Sequence, residues 1–378
     1  MRRKVNLTTI LLVMIDLVLI IASLNIAPLE HGEIFPHASD KGDGGWIPVT
    51  ETPWTGGFGE CVVSDGKYIY VMMQRNAVST TYFMRYDPAS DTWEDLSENV
   101  PDVDFKNGLA MAYDYEGNFY VLAGSTYADG ADRVYFFKYN ISTDTWIRLA
   151  DTPHVQGAGD AITYSGYDGK IYAFIGRNKY SGDYEPPDGV YSVFARYDPN
   201  NDTWENLTFP PWPGTDDGAS LAWTGGKYIY ALEGEFYENT PVTNFARYDI
   251  DNDTWENMSD IPAPDGVGDG GSLLWIGYYD SSYSDLIFAL DGNGCNETPG
   301  YNFTVYHIST DTWEELEDLP YPVGYYVGNR LAYARGKIFY WQGTPGTWEG
   351  GGRHICYYVP EAIPEMVFTQ IPDFSGNS

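Results

Sequence analysis

Cysteine, histidine and positive charge are all scarce in this chain. Its three cysteines, Cys61, Cys295 and Cys356, cannot all pair with one another, which excludes a disulfide framework as the source of stability. One bridge is compatible with the count, and buried free thiols fit it better. The five histidines, His31, His37, His154, His307 and His354, stand in unrelated contexts, so the several His and Tyr ligands that a copper centre gathers are missing. No metal or other cofactor is expected. Lysine and arginine total 21 against 54 Asp and Glu, a formal net charge of -33, and such a surface repels a phosphate backbone. Nucleic acid is therefore excluded as a partner. A nucleophile elbow, a phosphate-cradling loop and a Cys-x-x-Cys pair are absent as well, which removes the commonest motif-borne chemistries.

What is abundant is tyrosine, glycine and tryptophan, at 33, 41 and 12 residues in a chain of 378. A single core of that size is unusual unless the architecture grows by repetition. The chain starts with Arg2-Arg3-Lys4, an apolar run from Ile10 to Ala22 broken only by Asp16, and then small residues. A basic head before a short apolar stretch resembles an export signal. Extended to Ala27 the run approaches the ~20 residues of a membrane span, against a cost of about 2.5 to 3.5 kcal/mol for its central Asp16. Residues 1–28 are thus a signal peptide or an N-terminal anchor, both readings remaining open, and 29–44 a linker. Asn-x-Ser/Thr sites at Asn140, Asn201, Asn206, Asn252, Asn257, Asn296 and Asn302 are compatible with an exported glycoprotein. The expected location is extracellular or at the cell surface, with any membrane contact made by the N-terminal segment alone.

Five segments share one pattern: Tyr86 to Trp93, Tyr139 to Trp146, Tyr197 to Trp204, Tyr248 to Trp255 and Tyr306 to Trp313, each with Asp-Thr just before the Trp. Successive tryptophans are 53, 58, 51 and 58 residues apart, the period of a repeated supersecondary unit. Upstream of each copy run β-branched and aromatic stretches such as Tyr68-Ile69-Tyr70-Val71 and Tyr228-Ile229-Tyr230-Ala231, bounded by Gly and Asp; these are strands. Four strands per unit follow. A sixth unit at Leu331–Tyr333, Lys337–Trp341 and Ile355–Tyr358 lacks its Asp-Thr-Trp strand, and Trp46-Ile47-Pro48 near the other end has the character of that missing strand. Docking it there closes a ring and removes the exposed edges of an open array.

The Gly after each second strand (Gly124, Gly176, Gly234, Gly292, Gly343), with Tyr and Trp seven apart, resembles the kelch repeat. The resemblance covers roughly residues 45–361 and implies an all-β, six-bladed β-propeller of four-stranded blades; residues 362–378 form a tail. The repeat aromatics, with Trp46, are expected to fill the space between blades, each polar tip finding a backbone partner, and the Asp before Thr-Trp to cap N–H groups of its own turn.

Kelch-like propellers place their long connections, second-to-third strand and blade-to-blade, on one face. Those loops carry Tyr127, Tyr184, Trp212, Tyr237, Asp217, Asp269, Tyr325 and Trp348, aromatics and carboxylates suited to sugar rings or to a protein partner. At the inner strands, Glu60, Ala110, Ala161, Ser220, Ser272 and Arg330 align, so Glu60 and Arg330 are expected to pair across the closure, with Asp160 at the channel mouth. Some kelch-like propellers are enzymes, among them copper oxidases and a sialic acid epimerase, and a sialidase-like site would need spare arginines. Here Arg85, Arg196 and Arg247 occupy one repeat position instead. The reading is a binding module for glycans or proteins, with no catalytic residue assigned; the alternatives are a carbohydrate-acting propeller enzyme and a structural surface-layer component.

Overall fold

The computed structural model describes residues 45–54, 59–74, 81–103, 105, 108–124, 134–176, 192–235, 242–293, 300–323, 330–343 and 354–360. Six four-stranded antiparallel sheets make up the fold. Their inner strands are Glu60–Ser64, Ala110–Tyr113, Ala161–Ser165, Ser220–Trp223, Ser272–Trp275 and Leu331–Ala334. Each packs beside the next, and the sixth lies beside the first. The chain is a six-bladed β-propeller, and among the described residues it contains no α-helix and no helix long and apolar enough to cross a membrane.

The second strands, such as Ile69–Gln74 and Leu286–Leu290, are buried along their whole length. They read as continuous apolar runs because blades cover both faces. The outer strands, Thr92–Asp95 among them, alternate towards solvent. The last sheet takes its outer strand from the start of the chain: Trp46–Pro48 pairs antiparallel with Ile355–Tyr358. Tyr358 faces Trp46 in register, with ring centroids 5.4 Å apart, so the sixth Tyr–Trp pair is assembled from the two ends of the repeat region. A second tie at this seam is the bridge between Gly66 and Ala334.

The repeated Asp acts differently from the sequence expectation. Asp91, Asp144, Asp202, Asp253 and Asp311 all sit at left-handed φ of 50° to 54°, a region Asp tolerates better than most residues. The N–H groups of their own turns are capped by the residue that opens the turn: Asp87 accepts from Ala89 N, Asp198 from Asn200 N and Asp249 from Asp251 N. The Asp before Thr-Trp reaches out to the preceding blade. Asp253 accepts from the Tyr248 hydroxyl at 2.8 Å and from Thr208 N at 3.0 Å, while the Trp255 indole donates to Thr208 O at 2.8 Å. The same clasp joins Asp91 and Trp93 to Thr50, Asp202 and Trp204 to Ala150, and Asp311 and Trp313 to Ser259. Trp46 completes the series by donating to Glu317 O at 3.3 Å. Blade 2 departs from it: Asn99 reaches Asp144 at 2.7 Å, and the buried Trp146 indole has no acceptor. The tyrosine tips thus find a carboxylate, not the expected backbone group, because the left-handed turn swings that carboxylate back over the ring.

Asp249-Ile250-Asp251-Asn252-Asp253, whose alternating carboxylates resemble a cation loop, is used as a turn, with Lys227 paired to Asp249 at 2.7 Å. Arg85, Arg196 and Arg247 each pair across strands with Glu94, Glu205 and Glu256.

Candidate functional site

The two ends of the propeller axis differ in chemistry. At the long-loop end the inter-blade connections approach one another backbone to backbone. A Cβ on Gly108 would lie 1.8 Å from Gly157 O, and one on Gly218 would lie 1.9 Å from Gly268 O. A glycine stands two residues before the register position shared by the inner strands in every blade, at Gly59, Gly108, Gly159, Gly218, Gly270 and Gly328. This hexad is legible in the sequence once the register is known, and sequence reasoning missed it.

The register also shifts one residue of the sequence alignment. Ile69, Phe119, Ile171, Ile229, Ile287 and Ile338 face the third-strand tyrosines, including Tyr358. Counted from these, Cys61, Ala110, Ala161, Ser220, Ser272 and Arg330 share one position. Glu60 lies one residue earlier, level with Leu109 and Asp160. The offset lets the two charged side chains meet: both Arg330 Nη atoms lie 3.3 Å from Glu60 Oε2, and both side chains are fully buried. The Arg330 guanidinium also lies 5.1 Å from the centre of the Trp341 ring. Gly343 must be glycine here, since a Cβ would come within 2.3 Å of the guanidinium. Ser272 Oγ accepts from Arg330 N and Ser220 Oγ from Leu273 N, so unpaired N–H groups of the inner edges are satisfied from the neighbouring blade.

Around this pair the long-loop end gathers buried polar side chains. Asp160 is 3% exposed; its Oδ1 accepts from Gly157 N and Gly176 N, and its Oδ2 meets no donor. Burial raises its carboxyl well above the usual range. Asp216 and Asp269 are buried on successive inter-blade loops, and Asp217 beside them is half-buried. Trp212 is half-buried against Phe174 and Trp255, which places its ring in inter-blade packing. Tyr127, Tyr184, Tyr237, Tyr325, Trp348 and Asn296 lie outside the described residues.

Glu233 and Asp291 occupy equivalent positions at the ends of two second strands, and each accepts from an equivalent amide, Asn244 and Asn302. Burial pushes both carboxyls up to about 7, the amide donor opposing it. In the unfolded chain these groups lose their protons near pH 4, while the fold holds them to about pH 7. The folded state binds more protons in that window, so stability falls as pH rises through it and stays lower above. Replacing Glu233→Gln with Asp291→Asn is expected to raise stability at pH 8 by roughly 3 kcal/mol per site, with little change at pH 4; urea melts at the two pH values check it.

The opposite end is lined by rings. One shared inner-strand position holds Tyr113, Tyr164, Trp223, Trp275 and Tyr333 in five blades and Ser64 in the first. Tyr279, from the loop after the fifth inner strand, stacks on Tyr333 at 5.3 Å and lies against Gly66 of the first blade. Tyr115 and Tyr278 meet beside it at 4.0 Å. Between these rings and the Glu60–Arg330 layer, the axis holds a cavity of about 100 Å³, partly open to solvent and lined by residues such as Met111, Leu221 and Leu331.

No protein-family model matches the chain. It is 26% identical over 239 residues to the Kelch-like protein terF of Aspergillus terreus, covering 49% of this chain and 50% of that protein. It is 23% identical over 313 residues to an N-acetylneuraminate epimerase of Pasteurella multocida, covering 69% and 80%. The solved structure of YjhT superposes with a TM-score of 0.57 at 18% identity, over 81% of this chain and 95% of that one.

The chain is a kelch-type β-propeller. It spans half the length of the Aspergillus relative. Within the kelch frame its two ends are chemically distinct: buried carboxylates, amides and one arginine at the long-loop end, and a set of aromatic rings at the short-turn end.

Proposed function

We propose that this kelch-type propeller is an exported, cell-surface binding module that takes a hydroxyl-rich glycan on its long-loop face. The observation that carries the reading is the one-sided gathering of polar side chains at that end, Asp160, Asp216, Asp217, Asp269, Glu233 and Asp291 among them. Carboxyl groups, which accept and, when protonated, donate, suit a ligand rich in hydroxyls, and the charge of -33 disfavours a polyanion. Export is supported by the basic and apolar leader. It is supported also by Asn206 and Asn257, exposed at one repeat position on two outer strands. By contrast, the amides of Asn140, Asn201, Asn252 and Asn302 are engaged by neighbouring side chains.

The purified full-length protein is expected to bind at least one member of a neutral glycan panel saturably. Asp217→Ala is expected to weaken that binding at least tenfold and Tyr278→Ala, at the short-turn end, to leave it unchanged. Loss on Tyr278→Ala alone would move the site to the other end.

A second reading, a carbohydrate epimerase, is favoured by two carboxyls poised near neutrality, Glu233 and Asp291, the range suited to proton transfer, and by the similarity to the Pasteurella enzyme. Incubation with a single anomer of N-acetylneuraminate, followed by NMR, separates it from simple binding: accelerated equilibration supports it, and an unchanged rate removes it.

A further inference from the structure

The repeated Pro that trails each outer strand hides a second repeat. The residue after it is Trp54, Asp102, His154, Trp212, Ala263 or Tyr321 in the six inter-blade loops. At the closure seam two of these rings lie flat on residues at the start of neighbouring third strands, Thr81–Asp87 and Ile355–Tyr358. Trp54 stacks on Tyr82 with centroids 5.0 Å apart and planes 7° from parallel. Tyr321 stacks on His354 at 4.1 Å and 7°. Tyr82 faces Met73, and the His354 carbonyl accepts from Gln342 N at the corresponding end of its sheet, so the two stacks are the same device in adjacent blades. Glu51 links them: its Oε1 lies 3.1 Å from His354 Nδ1, and it precedes Trp54 by three residues, a backbone reach of at most ~11 Å.

Large flat rings at the surface of a soluble domain are costly to leave exposed without a partner. Trp54 is 41% exposed, and the side chains of His354 and Glu51 are 40% and 46% exposed. Their orientation is already fixed by stacking on a second ring, so little rotamer freedom remains to be lost on binding. The apolar C–H face of a pyranose fits such a surface, and Glu51 lies between the rings as an acceptor for ring hydroxyls. Two platforms on adjacent blades suit consecutive sugar units better than one.

We infer that Trp54 and Tyr321, with Glu51 between them, form an oligosaccharide subsite at the seam of blades 5, 6 and 1 that takes a neutral hexosyl chain. This rests on the glycan-binding reading and names the surface used. A second copy of the chain or a peptide is the competing occupant, and the -33 charge opposes self-association through an acidic seam.

The test is isothermal titration of the full-length protein with neutral hexosyl tetrasaccharides and the matching monosaccharides. Melting temperature is measured on every variant. Trp54→Ala and Tyr321→Ala are each expected to weaken tetrasaccharide binding at least tenfold with unchanged melting temperature. Trp54→Phe is expected to retain affinity within about threefold, and monosaccharides to bind at least tenfold more weakly than tetrasaccharides. Wild-type binding untouched by either alanine variant would overturn the seam subsite and leave the long-loop reading standing. No binding of any glycan by the wild type would overturn both.

Discussion

Arg330→Met is expected to destabilise the propeller by about 3 to 5 kcal/mol, the usual cost of stranding one partner of a buried ion pair. Arg330 and Glu60 are fully buried and 3.3 Å apart, with no water layer to soften the loss of the opposing charge. Burial already pulls the guanidinium down, and Glu60 is the main group holding it up. The double variant Glu60→Met with Arg330→Met is expected to recover most of that loss, since an apolar pair of similar volume needs no desolvation. Urea denaturation of the two single variants and the double variant gives the coupling directly. Additive losses would mean that the two side chains are stabilised separately, and that the closure of blade 6 on blade 1 does not depend on their contact.

The second large effect concerns Trp46. It is 6% exposed, packs edge-on to Phe303 at 5.0 Å and beside Tyr358, and donates to Glu317 O. Thr50, four residues on, donates its N–H and hydroxyl to the Asp91 carboxylate and accepts from the Trp93 indole. One short N-terminal strand therefore supplies clasps to blades 5 and 1 together. Trp46→Ala is expected to cost about 3 to 5 kcal/mol by the large-to-small scale for buried aromatics, far more than a similar change in an ordinary three-residue edge strand. Thermal unfolding checks it. A loss below about 1 kcal/mol would mean that the ring holds without its N-terminal strand.

The fold was readable because each blade repeats the same burial problem. Five copies of Tyr and Trp at one spacing fixed the unit, and the missing outer strand of the sixth pointed to Trp46. Tyr358 escaped that reading because its Trp lies three hundred residues away, outside any local pattern. The clasp role of the repeated Asp was not readable either, since turn capping and inter-blade bonding demand the same residue and only the left-handed φ separates them. The Glu60–Arg330 contact was anticipated through an alignment one residue out of register; long side chains bridged the error. The aromatic lining at the short-turn end left a trace, an aromatic at one shared inner-strand position of five blades. That trace reads in sequence as ordinary strand composition. The stacked rings after the repeated Pro left an equally plain trace that only the third-strand partners, Tyr82 and His354, make meaningful.

Ligand binding is proposed at the long-loop end and not at the ring-lined end of the axis. Hydrogen–deuterium exchange of the full-length protein with and without a saturating bound oligosaccharide tests it most directly. Protection confined to the inter-blade loops around Thr52–Trp54, Thr215–Gly218 and Pro320–Tyr321 is the result predicted. Protection at the Tyr113–Gly117, Thr224–Gly226 and Ile276–Tyr279 connections, with the long-loop end unchanged, would contradict it.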